Sequence, residues 1–596
     1  MGGRRRFLSL LFPFETTVND ASYEAAAPAH CAPPHADSSW ERIDRVAFAT
    51  VAKLSGGLSP FGMAFAHLDW AAHMACSPGK ALALWQLLLP GQDRDGTADP
   101  AGTDRRFKHP GWENQPYRQW RDQFLKAQAF WDQATRNVDG VQPHHLHVQH
   151  FITRQLLDTA SPSNLWWTNP EVLAAARDSA GMNFVHGGLR MLADWKDLLA
   201  GDAPGTSPQA LSAYRVGKEI AATPGQVVFR NELFELIRYA PATDEAWREP
   251  VLIVPSWLLK YYILDLSAHN SLIRHLVYCG HTVFAMSWRN PDAEARDTGL
   301  EDYLERGVLR ALSETARGAG CRRVHAVGYC LGGTLLALCA AALAREPRQD
   351  VRLQTMTLLA AQTDFSEPGE LGLFMGTSAV AFLDGLMWQQ GYLDGVQLAG
   401  VFQLLNARDL IWSRLVREYL LGHAQRVTDM MAWNADTTRL PYRLHSETLR
   451  YLYHGNDLAE GRYCWRGAPV SLSDLRVPAF VVATERDHIS PWKSVYKLHR
   501  LCAQDLSFVL ASGGHNGGIV APPGQAHAQF RLAQRKLGQS YRSPESWMAR
   551  TPIRPGSWWP AWEAWLTAHS SVRVPVQAVA QAHTLCAAPG TYVFNA

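Results

Sequence analysis

Hydrophobic positions along the chain change their spacing at three places, and each change marks a different kind of structure. From Arg42 to Leu89 apolar residues recur three and four apart (VAFATVAKLSGGLSPFGMAFAHLDWAAHM), the period of helices with one buried face, with breaks at Gly56, Gly57 and Pro60. A Gly- and Asp-rich stretch from Gly91 (GQDRDGTADPAGTD) reads as a linker into a second helical block that runs to about Ala200. After Pro224 short β-branched and aromatic runs take over. VVFRNELFELIRYAP reads as a hairpin, and VLIVP (251–255), HTVFAMSW (281–288), VHAVGY (324–329), LQTMTLLA (353–360), AFVVATE (479–485) and LSFVLAS (506–512) read as buried strands separated by helical segments. Apolar strands interleaved with helices predict a mainly parallel sheet covered on both faces. Between about Asp364 and Leu472 that rhythm stops and Trp, Phe, Tyr and Leu dominate, which predicts an insertion lying as a lid or cap on the sheet's edge. The pattern divides the chain into a tail (1–40, rich in Ala, Pro and His and expected to be mobile), a short helical module (41–95), a helical domain (96–222) and a sheet-based domain (223–596) with a cap at about 365–472.

Composition narrows the function classes. Apolar residues make up 47% of the 596, too many for a disordered chain. Fifty-seven basic residues against 55 acidic give a net charge of +2, so no bulk positive field is available to hold nucleic acid. The longest apolar run, Thr334 to Ala344, is too short to span a bilayer. The opening MGGRRRFLSLLFPF has the basic-then-apolar character of a signal peptide, but Pro13 and Glu15 interrupt it, so a cytoplasmic location is expected. Nine scattered cysteines without a C-x-x-C pair fit reduced thiols better than a disulfide framework or a zinc site.

The most informative stretch is VHAVGYCLGGTLLALCAAALA (324–344). An apolar strand enters Gly328-Tyr329-Cys330-Leu331-Gly332-Gly333 and leaves as a helix of small residues. This is the strand–turn–helix layout of a nucleophile elbow, G-x-S-x-G, with cysteine at the centre, and it predicts an α/β-hydrolase fold. A thiol at a helix amino terminus is biased toward thiolate by the exposed N–H groups. In that fold an acid and then a histidine follow the nucleophile in the chain. TERDHISPW places Asp487 at one strand end, and ASGGHNGGI places His515, flanked by glycines, at the next. His488 is the rival imidazole, ranked below His515 because adjacent residues rarely aim at one another, and is kept as a possible auxiliary group. An oxyanion hole would draw backbone N–H groups from Leu331 and from the loop after VLIVP, at Ser256 or Trp257; Asp265 in that loop reads as structural. Two further clusters have plainer readings. The four histidines of PHHLHVQH (143–150) read as a solvated helix face, and Trp558, Trp559, Trp562 and Trp565 as a terminal helix packed on the core.

Cysteine at an elbow stores an acyl group as a thioester, close in energy to an incoming thioester donor and still transferable to an alcohol if water is kept away. Acyl transfer from a thioester is the expected chemistry. DRRFKHPGWENQPY, SPSNLWWTNPEVL, ATPGQVVFRNELFELIRYAP, VPSWLLKYYILDL, GHTVFAMSWRNPD, AVGYCLGGTLLA, MAWNADTTRLP, TERDHISPW and PGSWWPAWEAWL together resemble the poly(3-hydroxyalkanoate) synthases, class I enzymes above all. The resemblance runs from about Asp104 to APGTYV near the carboxyl end, and Leu58 to Lys80 resembles a short amino-terminal module of some members. It departs at VPSW, where VPPW is usual, and in the glycine-rich GGHNGGIVAPP. The resemblance implies Cys330 as nucleophile, His515 as general base and Asp487 as its orienting acid. It implies (R)-3-hydroxyacyl-coenzyme A as substrate, a growing polyester as product, no metal or redox cofactor, and a homodimer on cytoplasmic polymer granules. Arg289, Lys260 and Arg408 are candidates for gripping coenzyme A phosphates, though each reads more simply as an ion-paired group. A thioesterase or an intracellular polyester depolymerase on the same scaffold is the alternative activity.

Overall fold

The computed structural model describes residues 39–54, 59–88, 104–199 and 211–595, apart from 347, 396, 399, 401–406, 425–426 and 577–582. The expected tail over 1–40, save its last two residues, and the linker after Gly91 lie outside the described residues.

Eleven strands of the described residues form one sheet: β1 Gln226–Arg230, β2 Phe234–Tyr239, β3 Val251–Val254, β4 Val283–Trp288, β5 Arg323–Tyr329, β6 Arg352–Leu359, β7 Ala479–Thr484, β8 Leu506–Ala511, β9 Gln529–Arg535, β10 Ile553–Pro555 and β11 Cys586–Ala587. Their order is β10-β9-β8-β7-β6-β5-β3-β4-β2-β1-β11. The six central strands, β3 to β8, run parallel, and antiparallel strands complete both edges. Every residue of β3, β4, β7 and β8 is buried, as a sheet covered on both faces requires. β9, β10 and β11 were not expected from the sequence. Phe-Arg-Leu-Ala-Gln-Arg in β9 mixes charge with apolar residues because only part of that strand, next to the edge, is covered, and the edge strand β10 is exposed throughout.

Helices α1 Ser39–Leu54, α2 Pro60–Ala75, α3 Pro78–Leu88, α4 Tyr117–Ala134, α5 Pro143–Thr159, α6 Pro170–Asp178 and α7 Met182–Leu199 precede the sheet. α2 packs on α5, and α3 on α4. The histidine-rich start of α5 is only partly the expected solvated face: His147 is exposed, while His145 and His150 are half-buried and bonded. His145 Nδ1 lies 2.7 Å from Asp69 Oδ2 on α2, and His150 Nδ1 lies 2.9 Å from Thr135 Oγ1 just past α4. Sequence periodicity could not show this, because the partners lie some 75 and 15 residues away.

Between β6 and β7 the strand pattern gives way to α9 (Thr377–Gln390, with α8, Leu331–Arg345, following β5), three π-helical segments, one short hairpin (Cys464–Trp465 with Ala468–Pro469) and a two-residue pairing of Tyr392–Leu393 with Leu440–Pro441. α1 and α2 both pack on α9, where Phe48 of α1 and Phe61 of α2 meet Phe382. A last helix, α10 (Trp559–Ala568), buries Trp559, Trp562 and Leu566. The indole N–H of Trp562 donates to Thr357 Oγ1 on β6 at 3.0 Å, seating α10 on the sheet.

Candidate active site

Cys330 is the turn residue between β5 and α8. Its backbone has φ 52° and ψ −129°, a conformation that side-chain-bearing residues rarely adopt. The turn is held by the Cys330 N–H, which donates to Leu359 O at 2.9 Å, and by the Cys330 carbonyl, which accepts from Gly333 N–H at 2.9 Å. The three glycines answer to crowding. A Cβ on Gly328 would overlap Gly333, and one on Gly332 would overlap the carbonyl oxygens of Val254, the last residue of β3, and of Pro255 after it. The elbow therefore needs hydrogen at these positions so that α8 can approach both β5 and β3.

Asp487 and His515 stand past the ends of β7 and β8. Both oxygens of the buried Asp487 carboxylate are used. Oδ1 accepts the N–H groups of Ile489 and Ser490 at 2.9 and 2.8 Å, while Oδ2 accepts the Thr484 hydroxyl at 3.0 Å and the His515 Nδ1–H at 2.8 Å. Burial opposes its charge, yet the facing imidazolium and these donors hold the carboxyl below its ordinary range. Burial would likewise push His515 down. The Asp487 carboxylate and the Cys330 side chain, which act on it through charge and through hydrogen bonding, outweigh burial and push it up to about 10. With Nδ1 committed to Asp487, the Nε2 side of the ring is the side left for the sulfur.

The remaining expected groups fall as follows. Leu331 opens α8, where the first N–H groups of a helix have no intrahelical acceptor. Trp257 is buried in the loop after β3, and its carbonyl accepts the Thr438 hydroxyl at 3.1 Å. With Leu335, Leu338, Leu452, Leu458 and Tyr463, Trp257 also lines a small apolar cavity between α8 and the region joining β6 to β7. His488 is half-buried and its carbonyl accepts Glu370 N–H; among the described residues no hydrogen bond joins its ring to Cys330 or His515. Asp265 is buried and accepts the hydroxyls of Thr223 and Ser271 at 2.5 and 2.6 Å. Lys260 is committed to the chain end, donating to Val593 O and Asn595 O at 3.0 and 2.7 Å. Arg289 pairs with Asp292, and Arg408 with Asp158. A larger surface cleft lined by Phe229, Arg306, Arg310, Arg348 and Arg466 shares no residue with this site, and each of its arginines faces a carboxylate.

Sequence reasoning missed three supports of the histidine loop. The indole N–H groups of Trp558 and Trp559 donate to Gly518 O and Ile519 O, each at 2.9 Å, and the Tyr329 hydroxyl donates to Asn516 Oδ1 at 2.5 Å. The WW pair was visible as core, but nothing in its spacing says which loop its indoles reach.

Comparison with known proteins bears on the family and the fold. A family described as "Poly-beta-hydroxybutyrate polymerase (PhaC) N-terminus" matches residues 103–276, one described as "Poly-beta-hydroxybutyrate polymerase N terminal" matches 38–80, and one described as "alpha/beta hydrolase fold" matches 249–522. The chain is 38% identical to a poly(3-hydroxyalkanoate) polymerase of Methylorubrum extorquens, over 86% of this chain and 84% of that one. It is 34% identical to the poly(3-hydroxyalkanoate) polymerase subunit PhaC of Rhizobium meliloti, over 86% and 84%. Against the same subunit of Cupriavidus necator the identity is 34%, over 86% of each chain.

Proposed function

The chain belongs to the poly(3-hydroxyalkanoate) polymerase family, and from that premise we propose that it polymerises (R)-3-hydroxyacyl groups, taken from coenzyme A thioesters, through a thioester on Cys330. His515 takes the Cys330 thiol proton, and the thiolate attacks the substrate carbonyl. The N–H groups of Leu331 and Trp257 are assigned to the oxyanion that develops. Collapse breaks the carbon–sulfur bond to coenzyme A, whose sulfur leaves with the proton held by His515. His515 next removes the proton of a 3-hydroxyl group. That oxygen attacks the acyl thioester, forms the new ester bond and returns Cys330 as a thiol. Asp487 stabilises the imidazolium in both halves, and His488 stands as an auxiliary group without an assigned step. The scheme uses no metal or redox cofactor.

The observation that carries this reading is the buried chain of contacts from Asp487 through His515, whose charge Cys330 affects, to a nucleophile on a strained elbow. Work at the surface of a cytoplasmic polymer granule, as a homodimer, is proposed on the same footing. Large apolar side chains stand exposed on α1, α2, α3 and α7, among them Trp40, Phe65, Trp85 and Trp195, and would suit an apolar surface. No helix of the described residues is long and apolar enough to cross a membrane.

The test is release of coenzyme A from 3-hydroxybutyryl-coenzyme A, with mass spectrometry of the protein. Cys330→Ala should abolish release, and wild type should carry acyl mass on the Cys330 peptide. Steady production of free 3-hydroxybutyrate without high-mass polymer would replace the proposal with a thioesterase or depolymerase.

A further inference from the structure

The nucleophile and the base sit on different elements, and each has a hydrogen-bonding neighbour next to it in the chain. Tyr329 is the last residue of β5, immediately before Cys330; Asn516 immediately follows His515. The Tyr329 hydroxyl donates to Asn516 Oδ1 at 2.5 Å, and the Tyr329 ring lies against the His515 ring with centroids 5.7 Å apart. We infer that Tyr329 and Asn516 are positioning residues, a latch that holds the His515 imidazole at the Cys330 sulfur; the catalytic consequence rests on the thioester reading above.

The loop needs such a latch. Residues 512–518 form neither helix nor strand and carry four glycines, with Gly513 at φ 112°, so the backbone has little preference of its own. The local bonds there, Gly518 N–H to Gly514 O and Val520 N–H to Asn516 O, shape the loop without fixing it to the elbow. Asp487 fixes one edge of the imidazole, but a ring held at Nδ1 alone can still swing about that bond and carry Nε2 past the sulfur. The Tyr329 hydroxyl removes this freedom by tying the adjacent side chain to the strand that ends at Cys330. Tyr329 is itself rigid: it is buried, and its backbone is paired with Leu359 on β6. Burial, with Cys330 and Asp487 nearby, raises the phenol well above its ordinary range, so it stays a donor across working pH.

The experiment is a double-mutant cycle on the full chain with Tyr329→Phe, Asn516→Leu and both together. Two quantities are read: kcat and KM for coenzyme A release, and the pH midpoint of iodoacetamide alkylation at Cys330, with unfolding midpoints as a control. Tyr329→Phe keeps the ring and removes only the donor, and Asn516→Leu alters a half-buried loop position, so one of the two serves if the other fails to fold. A working latch lowers kcat roughly 10- to 100-fold in each single variant, leaves KM within about twofold, and makes the double variant no worse than the singles. Alkylation should move to higher pH in all three, because the imidazolium no longer sits beside the sulfur. A wild-type kcat and alkylation profile in Tyr329→Phe, or additive losses in the double variant, would overturn the latch. Cys330→Ala run alongside separates the two ideas. Persistent coenzyme A release in that variant sinks the thioester reading, while the alkylation profile still decides the latch.

Discussion

The indole N–H of Trp558 donates to the carbonyl oxygen of Gly518 at 2.9 Å, three residues beyond His515. Trp559 repeats the contact one residue further on, at Ile519. A tryptophan pair more than 200 residues past Cys330 thus anchors the far side of the loop that carries His515. Trp558→Phe keeps most of the buried ring area but leaves the Gly518 carbonyl without its donor, a loss of about 1–3 kcal/mol. Urea unfolding should show that loss, and coenzyme A release should fall with it at temperatures where the variant remains folded. Unchanged stability would mean that the indole bond contributes nothing net.

Asp487→Asn should lower activity about 10³–10⁴-fold, because an amide neither stabilises the imidazolium nor enforces the Nδ1–H tautomer. The pH dependence has a definite sign. His515 is raised from 6.5 to about 10 in the folded protein, so its contribution to stability is complete below 6.5 and is lost as pH rises through about 10. Asp487 is depressed from 3.8, so its contribution is present above that value and is lost as pH falls through its folded pKa. The unfolding midpoint of Asp487→Asn should therefore trail wild type most between about pH 4 and 6.5, with the gap closing toward pH 10. Proton NMR of the imidazole should place His515 well below its wild-type titration; a titration at the wild-type pH would remove Asp487 as the cause.

Gly332→Ala tests the elbow's packing. The added methyl would overlap the carbonyl oxygens of Pro255 and Val254, backbone atoms that cannot swing away as a side chain would. Helix α8 must retreat from β3, at about 1–3 kcal/mol, and the two assigned oxyanion donors move apart. Thermal unfolding and coenzyme A release should both drop. A variant with wild-type kcat would show that the α8–β3 spacing is not critical.

The opposite end of the sheet carries an acid-sensitive pair. His281 is fully buried with neither ring nitrogen partnered among the described residues, and burial, with Arg573 and His275 nearby, pushes it down to about 4. His325, bonded to Thr355 and Ser570, is pushed down to about 3 by burial first, then by His281, His569 and Arg323. The unfolded chain binds protons at these sites from about pH 6.5 downward while the folded protein does not, so stability falls as pH drops below 6.5. His281→Phe, which keeps a ring against Trp247, should raise the unfolding midpoint more at pH 5 than at pH 8. Equal shifts at both values would show that protonation at His281 plays no part.

The parts of this protein that were legible in advance are those whose cause is local. β3, β4, β7 and β8 are buried on both faces, so nearly every residue in them is apolar and the run itself announces a strand. The half-covered β9 and the exposed β10 have no such signature and were missed. Cys330 was visible because the elbow's glycines must flank it at fixed spacing, and Asp487 and His515 because each follows an apolar strand in the expected chain order. His145 and His150 of α5 were misread as solvated because their partners, Asp69 and Thr135, belong to other segments; His147 is exposed as read. Lys260 showed no sign that its ammonium would be spent on the chain end.

By itself, the order of residues placed a thiol at a strand–helix corner and a carboxylate and an imidazole after later strands, the groups to which chemistry is here proposed. Tertiary structure alone decided what holds them: the tyrosine that bonds to Asn516, the tryptophans that bond to Gly518 and Ile519, and the threonine that completes Asp487. The reason is one of range. Strand burial and turn crowding act between near neighbours and leave a periodic trace in the chain, whereas a hydrogen bond between distant segments requires only one donor and one acceptor and leaves none.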